Sequence, residues 1–160
     1  SRSEAPAWMD ISVIAAVIIF LGLPASVLGN ELSLKMGRQK AITLIMMASF
    51  LFSAILGFSA ELPFILVVLL AAAFGFFVTA DSSSITSGAV ATSPPDLRGS
   101  TIAVHSFIGF TGAMAGPVIA GFVLDLGGGH ENLTAWGLTY LSMGAIAIFG
   151  PLALRMTRAS

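Results

Sequence analysis

Five long apolar runs are the feature that most constrains what this chain can fold into. They span about residues 8–28, 41–60, 63–91, 100–126 and 135–154. A helix needs about 20 apolar residues to cross the hydrocarbon core of a bilayer, whereas a soluble helix carries a polar face that these runs lack. The runs therefore predict an all-α integral membrane protein, with five transmembrane helices in a single domain over residues 1–160.

Composition agrees with this prediction and excludes several classes of function. Apolar residues make up 56% of the chain and charged residues only 9%, which is unlike a soluble globular protein. The net charge of −1 and the lack of a polybasic tail argue against nucleic acid as a partner. Cysteine is absent, and no HExxH, GxSxG or GxxxxGKS pattern occurs. The sequence thus predicts no catalytic residue, no metal site and no cofactor.

The polar stretch GNELSLKMGRQK, residues 29–40, sets the orientation of the predicted helices. We expect it to form a loop between the first two helices, and short loops rich in Lys and Arg stay on the cytoplasmic side. With this loop inside, Arg2 is the one basic residue outside. The six cytoplasmic basic residues are Lys35, Arg38, Lys40, Arg98, Arg155 and Arg158. The protein is therefore predicted to lie in the plasma (inner) membrane, with its N-terminus outside and its C-terminus in the cytoplasm.

A polar cluster interrupts the third apolar run. Asp81 lies inside the run, where a carboxylate costs several kcal/mol unless it faces protein or water. Five hydroxyl residues follow it within residues 82–87, enough to line a hydrated cavity. We predict that Asp81, Ser82, Ser83 and Ser84 line a pathway for substrate or protons. The alternative is a structural role, in which the hydroxyls bond to carbonyls of their own helix.

His105 is the second titratable group inside a predicted span, and it joins the pathway candidates. At ~1.5 Å per residue, Asp81 lies ~15 Å before the cytoplasmic end of the third helix, and His105 lies ~10 Å after the start of the fourth. The two side chains fall at similar depth. They could be in direct contact, or the rotation of each helix about its axis could separate them.

The fourth run contains a face of small residues. Gly112, Gly116 and Gly121 recur at intervals of four or five residues, and such spacing lets two helices approach closely in lipid. Pro117 can kink the same helix. We predict that these four residues form a helix-packing surface with a hinge.

The polar stretch resembles a motif of the major facilitator superfamily (MFS), whose transporters have two six-helix halves. The family's cytoplasmic connection between the second and third helices of each half reads Gly, three residues, Asp, a base, one residue, Gly, then further bases. Asn30 and Leu34 stand where the family has the first glycine and the acid. The matching residues are Lys35, Gly37, Arg38 and Lys40.

A second likeness is to the family's fifth-helix pattern GxxxGPxxGG, with Ala120 in place of one glycine. The matching residues are Gly112, Gly116, Pro117 and Gly121. In the family, this motif is associated with proton-coupled antiporters when it occurs in the first half. The segment PPDLRGS, residues 94–100, also resembles the connection that precedes that helix.

The resemblance implies the second half of such a transporter, helices eight to twelve, because the acid of the loop motif is missing and the third predicted helix carries no arginine. Helices two to six share this topology and remain the alternative. In the favoured reading Asp81 lies on helix ten, which lines the central cavity, and His105 lies on helix eleven.

The resemblance further implies transport of a small solute by alternating access, with proton coupling left open. The implied partners are the solute, protons, the lipid bilayer and the missing other half of the transporter. Two alternatives stand beside it. One is a complete five-helix membrane subunit that acts through helix-helix association, and the other is an integral membrane enzyme, which lacks a reactive constellation of side chains.

Overall fold

The computed structural model describes the backbone of residues 10–156, and the side chains of residues 10–145 and 149–151. It contains five α-helices: α1 (Ile11–Met36), α2 (Arg38–Gly57), α3 (Phe64–Thr92), α4 (Arg98–Leu126) and α5 (Leu133–Met156). All five are long and apolar enough to cross a membrane. The predicted all-α class with five spanning helices is confirmed. Arg2, Arg158, the side chain of Arg155 and the predicted helix start at residue 8 lie outside the described residues.

The predicted loop at residues 29–40 is wrong. Helix α1 continues through this stretch to Met36, and α2 begins at Arg38, so Gly37 alone lies outside a helix. Gly37 has φ 87°, a left-handed conformation that side chains rarely adopt, and glycine is therefore required there. The prediction failed because Glu, Leu, Lys and Met are good helix formers. Polarity alone does not end a helix.

The helices pack in an order that differs from their order in the chain. Helix α1 packs mainly on α3, α2 packs on α5 and α3, and α4 packs mainly on α5. The buried core lies where α1, α2 and α3 meet, at Ala25, Ile45 and Ala80, with Phe76 and Phe77 against it. Small residues dominate this core because helices in lipid associate by close packing, without a hydrophobic force between them.

Helices α1 and α3 approach each other closely. A Cβ added at Gly29 would lie 2.5 Å from the carbonyl oxygen of Ala80 and 2.8 Å from its Cα. The two backbones are thus in contact, and residue 29 has no room for a side chain. Helices α2 and α5 are joined by a hydrogen bond, which the Ser53 hydroxyl donates to the Tyr140 carbonyl at 2.8 Å.

The outer surface of the bundle is apolar. Large side chains such as Ile19, Phe20 and Met114 are 75%, 69% and 78% exposed. Such a surface suits lipid, whereas in water a continuous apolar surface marks an interaction site. Helix α4 is described over its full length and has no buried residue.

We expect Gly29→Ala to destabilise the fold by about 1–3 kcal/mol, because the new methyl group meets backbone atoms that cannot move aside. Gly109→Ala on α4 is the matched control, since a Cβ there meets no atom within 4 Å. Unfolding by SDS in mixed micelles measures both variants. Equal stability of the two would show that α1 and α3 do not approach as closely as described.

Candidate functional site

Helix α3 carries polar groups on two different faces. Asp81 shares its face with Phe74 and Val78, at intervals of three and four residues. Five hydroxyl residues recur at similar intervals on another face: Thr79, Ser82, Ser83, Thr86 and Ser87. Successive residues of a helix point about 100° apart, so neighbours in sequence need not share a face. The structure separates Asp81 from the serines with which it was predicted to line one cavity.

Asp81 faces a cavity of about 320 Å³ between α2, α3, α4 and α5. We call it the Asp81 cavity. Two of its lining oxygens, Asp81 Oδ1 and Ser49 Oγ, are buried and have no hydrogen-bond partner among the described residues. The rest of the lining is apolar or lacks a side chain: Met46, Phe74, Val78, Gly116, Ile119, Met143 and Gly144.

Asp81 is the one ionisable residue among the described residues that line the cavity. No Lys, Arg or His is among its lining residues, and no described side chain forms an ion pair with Asp81. A carboxylate removed from water is costly unless it is paired or protonated. The negative charge of an ionised Asp81 would therefore have no compensating charge within the described part of the chain.

The five hydroxyl residues and Ser26 line a more open space of about 450 Å³ between α1 and α3, which we call the hydroxyl groove. Most of its hydroxyl protons are already used. Thr79 donates to the Gly75 carbonyl at 3.0 Å, and Ser83 lies 3.0 Å from the Ser26 carbonyl of α1. What the groove offers is chiefly acceptor oxygens.

The predicted serines thus have different surroundings. Ser82 and Ser83 line the hydroxyl groove, whereas Ser84 is fully buried and donates to the Ala80 carbonyl at 2.7 Å. Ser84 fits the structural alternative, in which a serine bonds to its own helix.

His105 lies at the groove and not at the carboxylate. Its Nε2 is 2.9 Å from the Thr86 hydroxyl, and this contact joins α4 to α3. Thr86 is five residues beyond Asp81, ~7.5 Å along the helix axis. Within residues 10–145, no hydrogen bond or ion pair connects His105 to Asp81. The sequence left open whether Asp81 and His105 are in contact or are separated by the rotation of their helices, and in the structure they are separated.

The polar stretch contributes a cluster that joins three helices. Arg38, the first residue of α2, donates from Nη1 to the Ser87 hydroxyl at 2.7 Å and to the Ser84 carbonyl at 3.3 Å. Ser87 in turn donates to Asn30 Oδ1 on α1 at 2.8 Å. A Cβ added at Gly88 would lie 2.8 Å from the Arg38 Cδ, so glycine leaves room for this side chain.

Other residues of the polar stretch have different positions. Lys35 and Lys40 are exposed, and Gly37 forms the break between α1 and α2. Asn30, which departs from the family motif, is the residue that bonds to Ser87. Sequence analysis missed this role, because the motif treats the position as a glycine.

The small-residue face of α4 has no packing partner within the described residues. A Cβ added at Gly112, Gly116 or Gly121 would meet no atom within 4 Å, and Pro117 is exposed inside the helix. Gly116 borders the Asp81 cavity. The packing role of this face stays a prediction.

Sequence analysis also missed the cavity residues contributed by α2 and α5. Ser49 and Ser53 are both buried and lie four residues apart in an otherwise apolar run. That interval was a usable signal, because hydroxyls one turn apart in a spanning helix mark a face turned toward protein. Met46 and Met143 carried no comparable signal, since methionine is common on both lipid-facing and buried surfaces.

The fold and its internal polar sites define a multi-pass membrane protein. The sequence profile of the Major Facilitator Superfamily matches residues 7–159, so the chain belongs to this family of membrane transporters. The resemblance noted from the two motifs is confirmed. Comparison with curated proteins and with solved structures gives no match.

We expect Arg38→Ala to lower the free energy of unfolding by about 1.5–3 kcal/mol, because it removes a charge-assisted hydrogen bond between α2 and α3. Lys40→Ala, at an exposed lysine two residues away, should change it by less than about 0.5 kcal/mol. Unfolding by SDS measures both. Combining Arg38→Ala with Ser87→Ala should cost less than the sum of the single changes, and strict additivity would contradict the bond.

Proposed function

We propose that the chain is part of a secondary transporter that moves a small solute by alternating access. One observation carries this proposal: Asp81 lies in the middle of a spanning helix and faces a cavity formed by four helices, without a partner among the described residues. Unpaired carboxylates at membrane depth are costly and are typical of ion, proton or substrate pathways. Membership of a transporter family supports the same conclusion.

We further propose that the chain forms the second half of the transporter, with α1 to α5 as helices eight to twelve. Helix α3 is then helix ten. Its two polar faces support a position beside the solute path. The hydroxyl groove, with Ser82 and Ser83, supplies a hydrated surface along this path. His105 lies at the edge of the groove through its contact with Thr86.

Proton coupling, in this proposal, depends on Asp81. The described residues that face it from α2, α4 and α5 include no other titratable or charged group, so no neighbouring charge offsets that of the carboxylate. A proton neutralises it and removes the cost of holding an anion in a mostly apolar cavity. His105 of α4 is the second candidate for proton handling, and it contacts a different face of α3, at Thr86.

The glycine face of α4 is proposed to contact the other half of the transporter. Helix α4 has no buried residue, and its glycines meet none of the described helices. Small residues at this spacing allow close contact between helix backbones in lipid. The same face would serve the alternative function, a five-helix subunit that acts through helix-helix association.

We propose the orientation from the distribution of basic residues, and expect labelling to confirm it. The connection at 93–97 is placed in the cytoplasm and that at 127–132 outside. A membrane-impermeant maleimide applied to intact cells should therefore react with Glu131→Cys, and with Asp96→Cys only after permeabilisation. Both residues are exposed, and the unsubstituted protein gives the background. The opposite labelling pattern would contradict this orientation.

We expect Asp81→Asn to abolish gradient-driven accumulation of solute while leaving the abundance of the protein unchanged. The amide keeps the shape of the carboxyl group but neither titrates nor carries a charge. Transport by the full-length protein in proteoliposomes, measured against an imposed proton gradient, checks this. Asp125→Asn is the matched control, because Asp125 is exposed near the end of α4 and lies outside the cavity.

The outcomes separate the possible roles of Asp81. Retained exchange without accumulation would show that Asp81 couples transport to the gradient. A collapse in abundance would instead assign it a structural role. Unchanged accumulation in the variant would contradict any role of Asp81 in coupling.

A further inference from the structure

The walls of the Asp81 cavity specify the chemistry of what it can hold. One wall carries the carboxylate, and another carries a single hydroxyl, Ser49. The remaining side chains are aliphatic, aromatic or thioether groups, with Phe74 on α3, Met46 on α2 and Met143 on α5. The combination is one fixed negative charge in a surface that is otherwise apolar and polarisable.

Several classes of ligand do not match this surface. An anion would be repelled by Asp81, and a sugar would lose hydrogen bonds that one hydroxyl and one carboxylate cannot replace. A hydrated divalent cation prefers six or more oxygen ligands, and the described lining offers oxygens from Asp81 and Ser49 alone. A ligand with one positive charge and a large apolar surface matches both the carboxylate and the apolar lining.

The lining is suited to such a ligand in three further respects. Aromatic rings attract organic cations, and Phe74 is the aromatic residue of the cavity. Methionine side chains are flexible and polarisable, and surfaces rich in them accept ligands of varied shape. The volume of about 320 Å³ falls at the lower end of the range that binds small organic ligands, about 300–1,000 Å³.

We propose that the Asp81 cavity binds a lipophilic organic cation, an ammonium or phosphonium group with apolar substituents, and that Asp81 is its counter-charge. This inference rests on the proposed transport function and assigns the class of solute. The cation and the proton then neutralise the same carboxylate. On the α4 side the cavity is bordered by Gly116, which has no side chain and so leaves room for the ligand.

The test compares two ions of nearly equal shape and opposite charge, tetraphenylphosphonium and tetraphenylborate. Each is titrated calorimetrically into full-length protein in lipid nanodiscs, with empty nanodiscs as the blank. We expect saturable binding of the phosphonium and none of the borate. Equal binding of the two ions by the wild-type protein would overturn the proposal, and this comparison needs no variant to fold.

Variants then locate the site. Asp81→Asn should raise the dissociation constant of the phosphonium about 30-fold, because Asp81 carries the one fixed charge among the described residues that line the cavity. Asp125→Asn should leave it unchanged. Gly116→Leu, which fills the cavity, should weaken binding more than Gly112→Leu, one turn away and outside the lining. Wild-type affinity in Asp81→Asn would overturn the assignment.

Transport measured on the same preparation separates this inference from the proposed function. Accumulation of a different solute in proteoliposomes, without phosphonium binding, would leave the transporter standing and overturn the cation site. Phosphonium binding that depends on Asp81, without transport of any kind, would support the site and contradict the transport function.

Discussion

The contact between the backbones of Gly29 and Ala80 is the constraint on which the rest of the structure depends. Helices in lipid gain little from burying apolar surface, so their mutual position is set where the chains can approach most closely. This contact fixes the rotation of α3 about its axis. With Ala80 against α1, the next residue, Asp81, must point toward α2, α4 and α5. The position of the carboxylate therefore follows from a glycine on another helix.

The polar groups inside the bundle divide into those that have hydrogen-bond partners among the described residues and those that have none. Ser83, Ser84 and Thr86 donate to carbonyl groups of the helices, and Arg38 completes a chain of bonds from α2 through Ser87 to α1. The bonds of Arg38 and Ser87 join three helices, whereas the bonds that Ser83, Ser84 and Thr86 donate to α3 carbonyls lie within that helix and leave mainly acceptor oxygens free. Asp81 instead keeps an acceptor oxygen that is buried and has no hydrogen-bond partner among the described residues, and the proposed preference of the cavity for positive charge rests on this imbalance.

Sequence analysis predicts properties that depend on one segment of the chain, and fails for those that depend on contacts between helices. The five spans were predictable because the length of an apolar run is a property of the run itself. The helical extension through residues 29–36 was missed, since the signal for a break was one glycine and not the polar residues around it. The separation of Asp81 from its serine neighbours could not be predicted, because helix rotation depends on contacts between α1 and α3. Family motifs located Arg38 but not Asn30, which accepts a hydrogen bond from Ser87, the partner of Arg38.

The one-residue break at Gly37 has a consequence for how the protein can change over evolution. A longer connection absorbs an insertion without disturbing the helices that it joins, whereas a single residue transmits it directly. An added residue that extended α2 at its first turn, with the break held in place, would turn the rest of α2 by about 100° about its axis. Ser49 and Met46 would then leave the cavity wall, and residues that now face lipid would take their places. The length of the chain at this junction specifies the chemistry of the Asp81 cavity as firmly as the side chains that line it.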